Sequence, residues 1–171
     1  MMKKILLLLF PFLLVSSAYA QKYAYVDTDY ILDNIPTYTA AQEQLNKISQ
    51  QYQKELEGMR AEVDKMYQDY QSESVLLSED IRRKREDLIV AKEKELKALQ
   101  RQYFGPEGDL YKKREDLVQP IQEDIYNAIQ SIATQSGYAV IFDKAASTNM
   151  LYTDSRYDLS DQVLQRLGYK N

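Results

Sequence analysis

Cysteine and histidine are both absent from this 171-residue chain. Without thiols or imidazoles, the chain cannot build a cysteine nucleophile, a serine–histidine triad or a zinc site of thiolate and imidazole ligands. Carboxylates are the remaining groups from which a catalytic or metal site could be built. The composition therefore predicts a protein that is not an enzyme and that holds no metal and no cofactor.

Glycine and proline are also scarce, with five Gly and four Pro in the whole chain. Tight turns are therefore few, and long secondary-structure elements are expected. After the N-terminus, a short strand-like start is followed by about one hundred residues of helical periodicity. A β-rich segment and a short helix close the chain, so the pattern predicts an α+β protein that is mostly α.

The N-terminus has the pattern of a secretory signal peptide covering residues 1–20. Lys3 and Lys4 supply the positive start, residues 5–15 are apolar, and Ala18-Tyr19-Ala20 matches a signal-peptidase site. The apolar stretch is shorter than the roughly 20 residues that span a bilayer. The mature chain is expected to begin at Gln21 and to be soluble outside the inner membrane.

Acidic residues outnumber basic ones, 26 to 22, in the full chain. Because Lys3 and Lys4 leave with the signal peptide, the mature chain has 20 basic and 26 acidic residues and a net charge of −6. Binding to phosphate backbones requires clustered Lys and Arg. No nucleic-acid partner is therefore expected.

A heptad seam runs through the first part of the helical region. Apolar residues recur in steps of three and four, with an extra four-residue step between Ile48 and Leu56. The seam consists of Ala41, Leu45, Ile48, Tyr52, Leu56, Met59, Val63, Met66 and Tyr70. So narrow an apolar stripe on an otherwise charged helix requires a partner helix.

The partner is expected to be the following segment, folded back as an antiparallel coiled-coil hairpin. Residues 72–78 form the predicted tip, because the heptad breaks there and Ser78 has the pattern of a helix N-cap. The helical pattern breaks again at residues 104–108, Pro120 predicts a kink, and Gly137 predicts a helix end. The return seam is predicted to use Ile81, Leu88, Leu96, Leu99, Tyr103, Leu110, Leu117, Ile121, Ile125, Ala128 and Ile132.

Both ends of the chain carry strand-like segments. Residues 23–26 precede the hairpin, and residues 138–142 and 150–153 follow it, ahead of a terminal helix capped by Asp158 or Ser160. In a single copy, three short strands would leave exposed sheet edges and a small core. We therefore expect residues 21–37 and 137–171 of several copies to form a common body, from which residues 38–136 project.

Asp27, Asp29 and Asp33 are the carboxylates that could be considered for a cation. They stand at the start of a predicted short helix, capped by Asp27 or Thr28, where the helix dipole explains acidic residues without a metal. No glycine turn accompanies them, as it would in a calcium loop. A metal-dependent activity is therefore not expected.

Several segments in this order carry a family resemblance. They are the tyrosine-rich first strand, the sequence Gly-Tyr-Ala-Val-Ile-Phe-Asp at 137–143, Leu-Tyr-Thr-Asp at 151–154, and the terminal helix at 158–167. With them, the chain resembles the Skp/OmpH family of periplasmic chaperones, and residues 104–110 and 117–129 are similar to its acidic branch. The C-terminal block carries the specificity, since the helices alone would match any coiled coil.

The resemblance implies a homotrimer with a small β-barrel body, from which three helical hairpins project around a cavity. It implies a holdase that keeps unfolded outer-membrane β-barrel proteins from aggregating, without ATP. Carried over by position, the residues of the trimer body would be Tyr23, Tyr25, Val26, Val140, Phe142, Leu151 and Tyr152.

Two groups of residues are predicted to contact clients. Met59 and Met66 are one group, because methionine adapts to irregular partners, although they could instead fill the hairpin seam. The better candidates are Val75, Leu76 and Leu77 at the tip, since a hairpin end offers little to bury them. Many weak contacts of this kind would act through avidity.

The breaks in the helical pattern are candidate hinges. Gly105, Pro106, Gly108 and Pro120 could let the arms splay for clients of different size, or could be static kinks.

A basic run beside the tip departs from the acidic character of the chain. Arg82, Arg83, Lys84 and Arg85 could steer anionic clients, membrane lipid or lipopolysaccharide to the tip. The alternative interpretation is a solvated helix face. A second function also stays open, a structural adaptor of the cell envelope whose hairpin docks on a folded partner.

Overall fold

The computed structural model describes residues 21–169. The predicted signal peptide, residues 1–20, lies outside the described residues. In chain order the elements are β1 (Lys22–Val26), α1 (Thr28–Asp33), α2 (Pro36–Glu73), α3 (Glu79–Phe104), α4 (Asp109–Ser136), β2 (Tyr138–Asp143), a 3-10 turn (Ser155–Tyr157) and α5 (Ser160–Arg166). The mostly helical α+β class predicted from the sequence is confirmed.

The long helices form the predicted antiparallel hairpin. α2 packs along its length first against α4 and then, farther from the strands, against α3. Its seam is the predicted one: Ala41, Leu45 and Val63 are buried, and the other six seam residues are half-buried. The 38 residues of α2 reach about 57 Å at a rise of ~1.5 Å per residue. The hairpin is therefore an extended arm.

The return seam predicted for α3 is wrong at two positions. Ile81 and Leu88 are 47% and 59% exposed, whereas Ile89 is only 4% exposed. Ile89 precedes Leu96 and Tyr103 by whole heptads, so it occupies the inward position, and Leu88 falls one residue out of register. Ile89 therefore replaces Leu88 in the seam.

Charged residues occupy two of the seam positions of α3. Arg85 and Lys92 keep the three-and-four spacing with Ile89, and their ends pair with carboxylates of α2. Arg85 Nη2 lies 3.2 Å from Glu73 Oε2, and Lys92 Nζ lies 3.1 Å from Glu62 Oε2. Long basic side chains can cover apolar surface with their stems while their charged ends stay in water. A pattern search for apolar residues alone misses such a seam.

β1 and β2 form a parallel two-stranded sheet. Within residues 21–169 the sheet consists of these two strands, and α4 leads directly into β2. One side of the sheet covers a compact core made by both chain ends and the lower part of α4. The core residues are Ala24, Val26, Ile31, Ile35, Ile125, Ala128, Ile132, Leu159, Val163 and Leu164.

The strand predicted at residues 150–153 is wrong for a single copy, since these residues carry no regular secondary structure. A strand is defined by ladder hydrogen bonds to a neighbour. The outer edge of β1 is instead engaged by the chain that enters α5: Leu159 N donates to Tyr25 O at 2.9 Å, and Asp158 forms a bridge with Tyr25.

The helix ends follow the predicted residues with one difference. Asp27 caps α1, and Gly137 (φ 70°) and Gly168 (φ 88°) adopt the left-handed conformation after α4 and α5. At the start of α5, Leu159 holds the N-cap position, while Asp158 Oδ1 accepts a hydrogen bond from Ser160 N at 2.9 Å. Ser160 Oγ in turn accepts from Asp27 N at 2.8 Å, which ties α5 to the start of α1.

Candidate functional site: exposed apolar surfaces at the body and the hairpin tip

The sheet has one covered side and one open side. Strand alternation turns Ala24 and Val26 towards the core, and places Tyr23 opposite Val140 on the other side. Tyr23, Val140 and Phe142 are 48%, 41% and 47% exposed there. Three large apolar side chains on one face of a small sheet form a surface that a partner could cover.

The C-terminal loop adds to this open side. Leu151 and Tyr152 are 98% and 83% exposed. A groove of about 740 Å³ lies between the loop and the sheet, and its walls include Tyr23, Phe142 and Tyr152. We call the sheet residues Tyr23, Val140 and Phe142, together with Leu151 and Tyr152, the open body face.

Five of the seven predicted body residues thus lie on the open body face. The other two are placed differently: Val26 is in the core, and Tyr25 is 7% exposed beneath the groove. Their burial supports the body within one copy. The other five keep exposed apolar surface that a partner could cover.

Polar contacts hold the acidic start of α1. Asp27 Oδ1 accepts from Tyr30 N at 3.2 Å, and Lys144 Nζ lies 3.0 Å from Asp27 Oδ2. The hydrogen bond from Lys144 lowers the pKa of Asp27, and the same bond raises the pKa of Lys144. Residues 21–169 contain no group of acidic residues placed to hold a metal ion.

The tip of the hairpin presents a second apolar surface. The chain turns between the end of α2 and Ser78, and Val75 and Leu76 are 88% and 87% exposed. Leu77 is half-buried, and its carbonyl oxygen accepts from Arg82 Nη2 at 3.5 Å. Of the predicted trio, Val75 and Leu76 therefore offer the larger contact surface.

The other predicted contact residues, Met59 and Met66, are half-buried on the seam of α2. This position favours the alternative that they fill the hairpin. Three further apolar residues of α3 are exposed: Ile81 and Leu88, which were predicted to lie in the seam, and Val90, which was not considered. The signal for Leu88 and Val90 was present, since an apolar triplet on an amphipathic helix cannot place all its members inward.

The basic run beside the tip is balanced by acids. Residues 79–87 contain four basic and four acidic side chains. Arg83 Nη2 lies 2.6 Å from Glu79 Oε1, and Arg85 pairs with Glu73. A neutralised run of this kind favours the interpretation as a solvated helix face.

An aromatic cluster lies where the return helix is interrupted. The rings of Tyr52 and Tyr103 are stacked with centroids 3.9 Å apart, and Phe104 meets Tyr52 edge-on at 6.2 Å. The hydroxyl of Tyr103 donates to Glu55 Oε2 at 2.8 Å, which raises the pKa of Tyr103. Beyond the seam positions of the two tyrosines, no pattern in the sequence indicated this cluster.

The candidate hinge residues are divided between this interruption and a continuous helix. Gly105 and Gly108 lie between α3 and α4, with Pro106 beside them, whereas Pro120 lies inside α4, which continues through it. A Cβ at Gly105 would stand 2.3 Å from Arg101 O, and one at Gly108 2.7 Å from Gln102 O. Both glycines are thus required by close backbone approach.

Across residues 21–169, none of the helices is both long enough and apolar enough to cross a membrane.

Comparison with known proteins identifies the family of the chain. The profile of the family described as outer membrane protein (OmpH-like) matches residues 22–167. A search of the curated proteins found no match. Among solved structures, the fold is similar to an OmpH-like outer membrane chaperone of Caulobacter crescentus CB15, with a TM-score of 0.68 and 14% sequence identity. That similarity covers 88% of this chain and 86% of the other. The chain therefore belongs to the OmpH-like family, a family that is not enzymatic.

Proposed function

We propose that the protein is an ATP-independent holdase of the periplasm that works as a homotrimer. Three copies would join through their open body faces, and the three arms would surround a cavity. Unfolded outer-membrane β-barrel proteins would be held in that cavity until their insertion. Membership of the OmpH-like family, the similarity of the fold to a solved OmpH-like chaperone, and the extended arm with an exposed apolar end support this function.

The open body face supports the assembly. A body of two strands and two short helices has a small core, and Leu151 and Tyr152 are almost wholly exposed in one copy. Burial of apolar surface contributes roughly 25 cal/mol per Å². Covering these side chains in a closed ring would therefore stabilise both the body and the positions of the arms.

The exposed tip is the observation that carries the client-binding step. Val75 and Leu76 present the most exposed large apolar side chains of the arm at its far end, with no charged residue between Ser74 and Ser78. Three tips around one cavity would offer several weak apolar contacts to one client, and such contacts combine through avidity. Gly105, Pro106, Gly108 and Pro120 are the proposed hinge positions of the arm.

Light scattering tests this function. A urea-unfolded outer-membrane barrel protein is diluted into the mature chain without nucleotide, and aggregation is expected to stop near one trimer per client. The double variant Val75→Ser, Leu76→Ser is expected to protect less well. Val90→Ser, which also removes an exposed valine but from the side of α3, is the matched control.

The adaptor function predicts a different outcome. In that case, aggregation of the unfolded client is unchanged by the protein, and a folded envelope protein is bound with fixed stoichiometry instead.

A lipid or lipopolysaccharide contact at the tip is tested by flotation with anionic vesicles, with Arg82→Gln, Lys84→Gln as the variant. Because the basic run is neutralised by acids, we expect little flotation in either form.

A further inference from the structure

The arm is continuous on one side and interrupted on the other. α2 runs unbroken from Pro36 to Glu73, whereas the return path is divided into α3 and α4 by residues 105–108. The outer part of the arm, α2 with α3, and the inner part, α2 with α4, therefore meet at this interruption. Their relative angle depends on how α3 and α4 are each held on α2.

The C-terminal end of α3 is held on α2 by directional contacts. The rings of Tyr52 and Tyr103 are only 4° from parallel, and the Tyr103 hydroxyl donates to Glu55. Apolar seam contacts tolerate sliding and rotation, because dispersion and burial are not directional. A planar stack combined with a hydrogen bond fixes both the register and the rotation of the helix that carries it.

A polar contact closes the interruption itself. Gln102 Nε2 lies 3.1 Å from Asp109 Oδ2, so the last turn of α3 and the first residue of α4 are joined across the break. Gly105 and Gly108 permit the close backbone approach that brings these two residues together. This contact is exposed, whereas Tyr103 is only 9% exposed.

We propose that Tyr52, Glu55 and Tyr103 form a clasp that fixes the angle between the outer and inner parts of the arm. While the clasp is closed, the interruption at residues 105–108 is a rigid joint. When the clasp opens, α3 and α4 are no longer held at a fixed angle, and the outer arm swings as the continuous α2 bends beside the interruption, which changes the width of the cavity. This device concerns the regulation of the proposed holdase and rests on the proposed hinge.

The distance between two spin labels across the joint tests the clasp. Because the protein has no native cysteine, Lys94→Cys on α3 and Asp124→Cys on α4 give specific labelling at two exposed positions. At the helical rise of ~1.5 Å per residue, the labels lie roughly 40 Å apart. Labelled chains are mixed with an excess of unlabelled chains, so that only distances within one copy are measured.

The expected distributions follow from the contacts. The otherwise native protein gives one narrow peak, and Tyr103→Ala gives a distribution at least twice as broad. Tyr103→Phe keeps the ring stack but loses the bond to Glu55, so its width is intermediate. Tyr111→Phe is the matched control, since it removes a tyrosine–glutamate bond of the same 2.8 Å length that lies wholly within α4.

Two outcomes would overturn the clasp. One is a Tyr103→Ala distribution as narrow as that of the native protein, with helix content unchanged by circular dichroism. The other is a native distribution that is already as broad as that of the variant. If Tyr103→Ala fails to fold, Tyr103→Phe and Tyr52→Leu provide the same comparison. Because the measurement contains no client, failure of the holdase function would leave its result unaffected.

Discussion

Lys144 Nζ lies 3.0 Å from Asp27 Oδ2 and joins the end of β2 to the start of α1. These residues are 117 positions apart in the chain, on either side of the whole hairpin. Asp27 also caps α1 through its other carboxylate oxygen. The pair therefore connects the two chain ends from which the body is built.

This relationship predicts an acid sensitivity. The pKa of Asp27 is lowered below its ordinary value of 3.8, mainly by Lys144. The contribution of Asp27 to stability is therefore complete above pH 3.8 and lost as the pH falls through the lowered pKa. Asp27→Asn should keep the cap but lose this pH dependence, whereas Asp27→Ala should also lose about 1 kcal/mol of cap stability.

Urea unfolding at pH 7 and at acid pH measures both effects. Equal stability of Asp27→Asn and Asp27→Ala at pH 7 would show that the cap contributes nothing. Asp29→Asn, in the same first turn, is the control for a general change in net charge.

The seam register of α3 predicts a large loss of stability at one residue and a small loss at its neighbour. Ile89→Ala removes a buried side chain from between the helices and should lower the free energy of unfolding by about 2–4 kcal/mol. Leu88→Ala removes an exposed side chain and should cost less than about 1 kcal/mol. Thermal and urea unfolding of the two variants decide between them. If Leu88→Ala is the more destabilising change, the register described for the hairpin is incorrect.

Tyr103 predicts an alkaline effect on the arm. Its pKa is raised above the ordinary value of 10.0, chiefly by the hydrogen bond to Glu55. The stabilisation is therefore present below pH 10.0 and is lost as the pH rises through the raised pKa, because the phenolate would face the Glu55 carboxylate. Between pH 9 and 11, the melting temperature of Tyr103→Phe should fall less steeply than that of the native protein.

Tyr111→Phe again provides the control. Its pKa is also raised by a glutamate, Glu115, but both residues lie on α4. Parallel slopes for Tyr103→Phe and the native protein would speak against a stabilising Tyr103–Glu55 bond.

The open body face predicts a change in assembly. Leu151→Ser, Tyr152→Ser removes two side chains that make little contact within one copy, so the secondary structure should be retained while the proposed trimer dissociates at micromolar concentration. Light scattering coupled to gel filtration measures the mass. The tip variant Val75→Ser, Leu76→Ser, with equally exposed residues, should remain trimeric. A trimer in both variants would place the interface elsewhere.

The hairpin was predictable because its signals are local. The spacing of residues from Ala41 to Tyr70, the scarcity of glycine and the cap residues Asp27 and Gly137 each follow from the chain near them. The position of Ile89 was not predictable from apolar spacing alone, since Arg85 and Lys92 occupy seam positions through ion pairs with α2. Such pairs depend on which residues of the partner helix lie opposite.

The predicted third strand failed for a related reason. Residues 150–153 have the composition of a strand, but composition does not supply the neighbouring strand that pairing requires. Leu151 and Tyr152 therefore remain exposed in one copy. The stack of Tyr52 on Tyr103 was also not predictable from the sequence, because a seam position does not specify ring geometry.

Sedimentation of the mature chain with one fluorescently labelled, urea-diluted outer-membrane barrel protein tests the central claim most directly. The holdase account predicts a single labelled species whose mass equals three copies of the chain and one client, formed without nucleotide. A client that pellets alone, beside a chain that sediments as a single copy, would contradict both the assembly and the chaperone function.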